Sequence, residues 1–161
     1  MSDRSLFEFI IAKGLGDGGS ASTSHVVNAV EACADAGANI INLSLGGGGY
    51  SSIVANDYRD VYNQGILIVA AAGNNGNGAY SYPASYPEVM SVAAIGQDEV
   101  RAPYSQYNDQ VEISAPGRGV NSTIPNDGYG TKGGTSMASP HVAGVAALVS
   151  SNISYHENYA T

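Results

Sequence analysis

A serine at the start of an apolar helix is the residue of this sequence best suited to chemistry. Ser136 follows the glycine pair Gly133-Gly134 and Thr135, and it precedes a run rich in Ala, Gly and Val. The first backbone N–H groups of a helix have no partner within it, and the helix dipole adds partial positive charge there. A hydroxyl in this place can act as a nucleophile beside groups that stabilise negative charge. The alternative is a common helix cap after a glycine turn.

Two further polar segments follow predicted strands. Asn74 comes after the apolar run Ile66–Ala72 and Gly73, and its carboxamide is either a turn group or a donor to an oxyanion. Ser44-Leu45-Gly46 ends a shorter apolar run, and its backbone either pairs with an extended peptide or simply leaves the strand. Ligands of open α/β sheets bind beyond the carboxyl ends of the strands. We therefore expect both segments to converge with the loop before Ser136.

Alternating strands and helices predict the scaffold that positions these groups. A strand–helix–strand order implies right-handed crossovers and an α/β fold, a three-layer, mostly parallel sheet with helices on both faces. We expect one domain over residues 1–151 and a frayed tail over residues 152–161. The predicted strands are Leu6–Ala12, Asn39–Leu45, Ile66–Ala72, Val89–Ile95 and Val111–Ser114, and the predicted helices are Thr23–Ala36, capped by Thr23 or Ser24, Ile53–Gln64 and Ala138–Ser150.

Composition excludes several classes of partner. The formal net charge is −8 with only six Lys and Arg residues, so no basic patch is available for nucleic acid or an anionic membrane. No apolar run reaches the length of a membrane span, and residues 1–6 do not read as a signal peptide. The single cysteine, Cys33, excludes an internal disulfide and is expected to be a buried thiol.

Three motifs resemble those of the subtilases, the subtilisin-like serine proteases. The run Gly133–Gly144 (GGTSMASPHVAG) resembles the family's nucleophile motif, Val69–Gly76 (VAAAGNNG) its oxyanion-hole segment, and Asn42–Gly47 (NLSLGG) its substrate-binding strand. The resemblance implies a serine endopeptidase that hydrolyses polypeptides, with Ser136 as nucleophile and Asn74 as an oxyanion donor beside the Ser136 backbone N–H. The substrate-binding residues that it implies are Ser44, Leu45, Gly46, Gly73, Gly134 and Thr135.

A fourth segment, Tyr82–Pro87 (YPASYP), is similar to a subtilase loop in which the Tyr82–Pro83 bond is cis. In some family members the carbonyls corresponding to those of Ala84, Tyr86 and Val89 bind a weak structural cation, either calcium or a monovalent ion. Turn chemistry alone also accounts for both prolines. The resemblance implies no cofactor and no catalytic metal, and it suggests secretion.

The base that a serine nucleophile needs is not evident in this sequence. His141 follows Ser136 by five residues on one helix, about 140° around its axis, and cannot reach back to the hydroxyl. His156 lies in the polar tail, and His25 lacks the family's His-Gly-Thr-His context. In subtilases the Asp and His segments precede a stretch like Leu6–Leu15. The chain is therefore expected to be the carboxyl-side half of the domain.

Two functions remain open for such a half. It can be completed by the amino-terminal half of its own domain supplied as a partner, or it can be a catalytically silent remnant that binds peptides. On its own the chain is expected not to react at Ser136.

Two other motifs are formal matches only. Gly14–Gly19 fits the G-x-G-x-x-G pattern of dinucleotide-binding folds, but Ser44-Leu45-Gly46 stands where the ribose-binding acidic residue is required. Gly134–Ala138 imitates the nucleophile elbow of α/β-hydrolases, which needs an Asp and a His downstream, and no Asp follows Ser136.

Overall fold

A parallel four-stranded sheet forms the centre of the molecule. The computed structural model describes residues 7–157. Every pair of neighbouring strands in the sheet is parallel, and the strands lie side by side in chain order. The strands are β1 (Ile40–Leu43), β2 (Leu67–Ala71), β3 (Val89–Ile95) and β4 (Val111–Pro116).

Helices cover both faces of this sheet, as the alternation predicted. Along β2, Ile68 and Ala70 pack into one apolar cluster with the first two helices, whereas Val69 packs into a second cluster with the last helix. Both faces of β2 are thus buried, which explains its unbroken apolar sequence. The three-layer α/β fold is confirmed. The helices are α1 (Thr23–Asp35), α2 (Ser52–Tyr62) and α3 (Thr135–Glu157).

The caps of the first two helices are serines that precede them. Ser22 caps α1 by accepting a hydrogen bond from the backbone N–H of His25, so neither Thr23 nor Ser24 is the cap. Ser51 caps α2 in the same way through Val54. Cys33, near the end of α1, is half-buried against the apolar cluster, where a thiol behaves as a small hydrophobic group.

The last helix is longer at both ends than the sequence predicted. It begins at Thr135 rather than Ala138, because the turn at Gly134 lets the helix start directly after it. It continues to Glu157, although a frayed tail was predicted from residue 152. No glycine or proline follows Gly144 to interrupt the helix. Residues 158–161 of the predicted tail, and the side chain of His156, lie outside the described residues.

The first predicted strand does not form. Residues 7–14 have no regular secondary structure, and the Phe9 and Ile11 side chains are each 87% exposed. Within the part of the chain that the structure describes, no strand lies beside this segment, so its backbone has no ladder to join. Leu6 lies outside the described residues.

An antiparallel hairpin that the sequence analysis missed lies between β4 and α3. It consists of β5 (Val120–Ile124) and β6 (Gly128–Lys132), joined by a turn in which Asn126 and Asp127 have positive φ angles of 66° and 56°. Two successive residues of this kind match the right-handed twist of a hairpin. The Asn-Asp-Gly sequence, between Ile124 and Tyr129, was the available signal.

Candidate active site

The turn before Ser136 is held in place by the end of β4. Gly134 donates its backbone N–H to the Gly117 carbonyl at 2.8 Å, and the Gly134 carbonyl accepts from Met137 N at 3.0 Å. Gly117 has no space for a side chain, since a Cβ there would lie 2.5 Å from the Ala94 Cβ. The turn therefore rests directly on the sheet, and Ser136 lies half-buried in the first turn of α3.

Asn74 is joined to this turn through Thr135. The Asn74 Oδ1 accepts hydrogen bonds from the Thr135 backbone N–H at 2.9 Å and from the Thr135 hydroxyl at 3.0 Å. The Thr135 Oγ1 in turn accepts from the Gly73 backbone N–H at 3.2 Å. Because both bonds hold the carboxamide oxygen, the Asn74 Nδ2 group is directed to the other side and remains available as a donor.

Two nitrogen atoms lie close to one point in front of Gly134. The point at which a Cβ on Gly134 would lie is 3.6 Å from Asn74 Nδ2 and 3.7 Å from the backbone N of Ser136. The Met137 Sδ atom lies 3.7 Å from the same point. Because residue 134 is a glycine, no Cβ atom occupies this point between the two nitrogens. Donor pairs of this kind stabilise an oxyanion.

The segment Ser44-Leu45-Gly46 lies at the same edge of the sheet. A Cβ on Gly46 would be 3.8 Å from the Ala71 carbonyl at the end of β2, and 3.2 Å from the Ser81 hydroxyl. Ser44 and Gly46 are exposed, and the Leu45 side chain packs against the apolar cluster under α1 and α2. The three segments thus converge beyond the carboxyl ends of β1 and β2.

A hydrogen-bond chain connects Ser44 to α3, the helix that carries Ser136. Ser139, fully buried in α3, donates to the Asn42 Oδ1 at 2.7 Å, and the Asn42 Nδ2 donates to the Ser44 hydroxyl at 2.9 Å. The helix that carries Ser136 and the strand that leads to Ser44 are therefore held in fixed relation.

Thr135 and Gly73 differ from the other predicted substrate-binding residues. The Thr135 side chain is 0% exposed, and its hydroxyl is fully used between Asn74 and Gly73. The Gly73 carbonyl accepts from the backbone N–H of Gln106 at 3.0 Å. Their polar groups therefore support Asn74 rather than face an incoming substrate.

The histidines do not form a base for Ser136 in the described residues. The His25 ring lies against the Lys13 carbonyl at 3.3 Å, and the His141 Nδ1 lies 2.7 Å from the carbonyl of Met137, one helical turn earlier. Among the described side chains, residues 7–151, no histidine is paired with a carboxylate, and no cluster of three His, Cys, Asp or Glu side chains could hold a metal.

A cavity opens beside Ser136 between the hairpin and α3. Its volume is about 510 Å³, and Ser136, Met137 and His141 line it on the helix side. Strand β5 and Lys132 of β6 line it on the hairpin side. Ser136 therefore borders an open space on the hairpin side of α3.

The Tyr82–Pro83 bond is cis, as expected. Of the three carbonyls considered for a structural cation, that of Tyr86 accepts a hydrogen bond from the Val89 backbone N–H at 3.0 Å. The structural cation at these carbonyls stays a prediction.

None of the helices in the described residues is long and apolar enough to cross a membrane.

Comparison with known proteins decides the family. The model of the subtilase family, Peptidase_S8, matches residues 7–160. The chain belongs to the subtilase family. It is 45% identical over 137 residues to the alkaline elastase YaB of a Bacillus species, and 44% identical over 142 residues to subtilisin Savinase of Lederbergia lenta. These matches cover 85% and 88% of this subtilase chain, but 36% and 53% of the two relatives.

Solved structures agree with the subtilase assignment. A cold-adapted subtilisin-like serine proteinase superposes with a TM-score of 0.79 at 36% identity, covering 84% of this chain and 50% of that one. The prenylagaramide maturation protease PagA superposes with a TM-score of 0.78 at 33% identity, covering 84% and 52%. The chain thus corresponds to the carboxyl-side portion of the subtilase domain and spans about a third to a half of the relatives' length.

Proposed function

We propose that this chain carries the nucleophile, the oxyanion site and part of the substrate cleft of a subtilisin-like serine endopeptidase. The observation that carries the proposal is the position of the Asn74 carboxamide, whose oxygen is bound by Thr135 while its Nδ2 borders the same space as the Ser136 N–H. The Ser136 Oγ attacks the peptide carbonyl carbon, and the two nitrogens bind the oxygen that becomes negative. The partial positive charge at the start of α3 acts in the same direction.

An extended polypeptide is the proposed substrate. Its backbone pairs with the exposed Ser44-Leu45-Gly46 segment, which lies beside the end of β2. Gly134 presents no side chain to this cleft, so a substrate backbone can approach closely. Neither a cofactor nor a metal takes part in this chemistry.

The proton of Ser136 requires a base that the described side chains do not provide. His25 and His141 are engaged with backbone carbonyls, and neither has a carboxylate partner. The cavity of about 510 Å³ beside Ser136 is the open side from which such a base can approach. We propose that the amino-terminal portion of the domain supplies it.

Exposed apolar groups support the docking of that portion. Val145, Leu148 and Val149 form one stripe on α3 and are 60%, 58% and 54% exposed. Strand β1 pairs with β2 on one side only within the described residues, which leaves its outer edge open to a further strand.

We also propose, from the family, that the protein is secreted. The net charge of −8 argues against nucleic acid or an anionic membrane as a partner.

A silent peptide-binding module is the second candidate. It is favoured by one observation, the lack of a histidine–carboxylate pair among the residues that the structure describes. In that case the cleft at Ser44–Gly46 binds peptides, and Ser136 does not react.

A fluorophosphonate probe, which labels only activated serines, separates the two candidates. The chain is treated with the probe alone and together with the part of subtilisin Savinase that precedes its matched region. We expect labelling only in the mixture, and none with Ser136→Ala. If the two polypeptides bind each other and Ser136 still fails to react, the silent module is the correct reading. If the chain reacts alone, the base lies within it.

A further inference from the structure

One buried amide oxygen in this structure has no hydrogen-bond partner and lies against the residue before Asn74. The Gln106 side chain is 1% exposed, and its Oε1 has no partner among the described residues. That oxygen lies 1.7 Å from the point at which a Cβ on Gly73 would be placed, and so it contacts the Gly73 Cα–H group directly. Leaving such an oxygen unpaired is unfavourable, and a Cα–H contact offsets only part of this cost.

Gly73 is held on three sides by this arrangement. Its N–H donates to the Thr135 hydroxyl, its carbonyl accepts from the Gln106 N–H at 3.0 Å, and the Gln106 Oε1 covers its Cα. Its φ angle of +109° is one that residues with a side chain rarely adopt. The peptide that carries Asn74 is therefore fixed by Gln106 on one side and Thr135 on the other.

The rest of the loop is attached to the same neighbouring segment. Gly76 N–H donates to the Tyr104 carbonyl at 2.7 Å, and Tyr107 N–H donates to the Asn77 carbonyl at 3.1 Å. The Ala79 carbonyl accepts from both the Gln106 Nε2 and the Asn108 Nδ2. Gln106 thus spans the loop, with its oxygen at Gly73 and its nitrogen at Ala79.

We propose that Gln106 is a positioning residue for the oxyanion site: it fixes Gly73 and thereby aims the Asn74 Nδ2 group at the space in front of Gly134. The assignment rests on the proposed function for its catalytic consequence, whereas the positioning itself can be measured without activity. Gln106 touches neither the substrate nor the reacting atoms, because its side chain is buried behind Gly73.

The test observes the Asn74 carboxamide directly. Its two ¹H–¹⁵N signals in the full chain are assigned by their loss in Asn74→Ala. In Gln106→Met, which fills the same space without an amide, we expect both signals to shift and broaden. Asn108→Ala is the matched control, because it removes a hydrogen bond to the same Ala79 carbonyl without touching Gly73. In that variant the Asn74 signals stay where they are in the wild type.

Gln106→Asn is a second variant that keeps the test possible if the methionine variant does not fold. It keeps the amide but is one methylene shorter, so it cannot reach both Gly73 and Ala79, and the same shift of the Asn74 signals is expected. Unchanged Asn74 signals in a folded Gln106 variant overturn the proposal, as does an equal shift in Asn108→Ala.

Kinetics in the complemented enzyme test the catalytic consequence. Gln106→Met is expected to lower kcat about 10-fold with KM within twofold, less than the roughly 10²–10³ known for removing such a donor from subtilisin itself. If the Asn74 signals depend on Gln106 and Ser136 never reacts, the proposed function fails and the positioning stands. If Ser136 reacts and Gln106 variants leave both kcat and the Asn74 signals unchanged, only the positioning proposal fails.

Discussion

Thr135 donates two hydrogen bonds to one atom, the Oδ1 of Asn74. The backbone N–H binds at 2.9 Å and the hydroxyl at 3.0 Å. A carboxamide held in this way can present only its nitrogen to the opposite side, and that nitrogen and the backbone N of Ser136 both lie within 3.7 Å of the Cβ position of Gly134. Thr135, the residue before Ser136, therefore determines which way the Asn74 carboxamide faces.

Thr135→Val tests this relationship. Valine has the same shape but no hydroxyl, so the Gly73 N–H loses its acceptor and Asn74 loses one donor. We expect the free energy of unfolding to fall by about 1–3 kcal/mol, because the groups left behind are largely buried. Urea denaturation followed by circular dichroism measures the change. Thr135→Ser keeps the hydroxyl and should lose less, and equal losses in the two variants would contradict the role of the hydroxyl.

Replacing glycine by alanine should have opposite effects on stability at Gly117 and at Gly144. A Cβ on Gly117 would lie 2.5 Å from the Ala94 Cβ and 2.8 Å from the Gly134 carbonyl oxygen. Gly117→Ala should therefore destabilise the fold by about 1–3 kcal/mol or more. Gly144 lies inside α3 with no atom within 4 Å of its Cβ position, so Gly144→Ala should stabilise by roughly 0.5–1 kcal/mol. Thermal unfolding of both variants measures whether each substitution raises or lowers the stability of the fold. A Gly117→Ala variant as stable as the wild type would show that the turn at Gly134 can shift.

The sequence predicted the scaffold of the site better than its internal contacts. An apolar run such as Ile66–Ala72 is typical of a strand covered on both faces, and the strand–helix alternation then predicts the parallel order. The convergence of Ser44–Gly46, Gly73-Asn74 and the loop before Ser136 follows from that order alone.

The finer features depend on tertiary contacts that no local pattern encodes. Thr135 was expected to contact substrate, but its side chain is buried against Asn74. Gln106 lies 32 residues after Asn74 in a polar segment with no helical or strand periodicity, so its approach to Gly73 could not be read from the sequence. The segment Leu6–Ala12 has strand-like residues, yet a strand forms only where a neighbour pairs with it.

The environment of Glu112 should make the stability of the fold depend on pH. The register of β3 and β4 shifts between Ser91 and Val92, and the Glu112 carboxylate accepts the Ser91 N–H at this irregularity. Partial burial raises the pKa of Glu112 above its usual value, and the hydrogen bond from Ser91 opposes this only in part. A carboxyl group with a raised pKa binds its proton more tightly in the folded state. Its contribution to stability is therefore greatest at low pH and declines as the pH rises through the raised pKa.

Glu112→Gln should remove this decline, because glutamine keeps an oxygen for Ser91 and carries no charge. We expect the variant to match the wild type near pH 4 and to be more stable at pH 7, by a small margin since Glu112 is partly exposed. Urea unfolding between pH 4 and 8 measures the difference. Glu31→Gln, on the exposed side of α1, controls for the loss of one negative charge. A pH-independent difference between Glu112→Gln and the wild type would contradict the assignment.

Leu148 tests whether the apolar stripe on α3 is a docking surface for the amino-terminal portion. Its side chain is 58% exposed, so Leu148→Glu should leave the stability of the chain within about 0.5 kcal/mol. If the stripe is covered in the complemented enzyme, a charge placed there must be desolvated without a partner, and binding of the Savinase segment should weaken by at least 10-fold. Ile53→Glu, at an apolar position on α2 that is 74% exposed, is the matched control and should bind like the wild type. Equal affinities of the two variants for the segment, measured by titration calorimetry, would show that the stripe lies outside the interface.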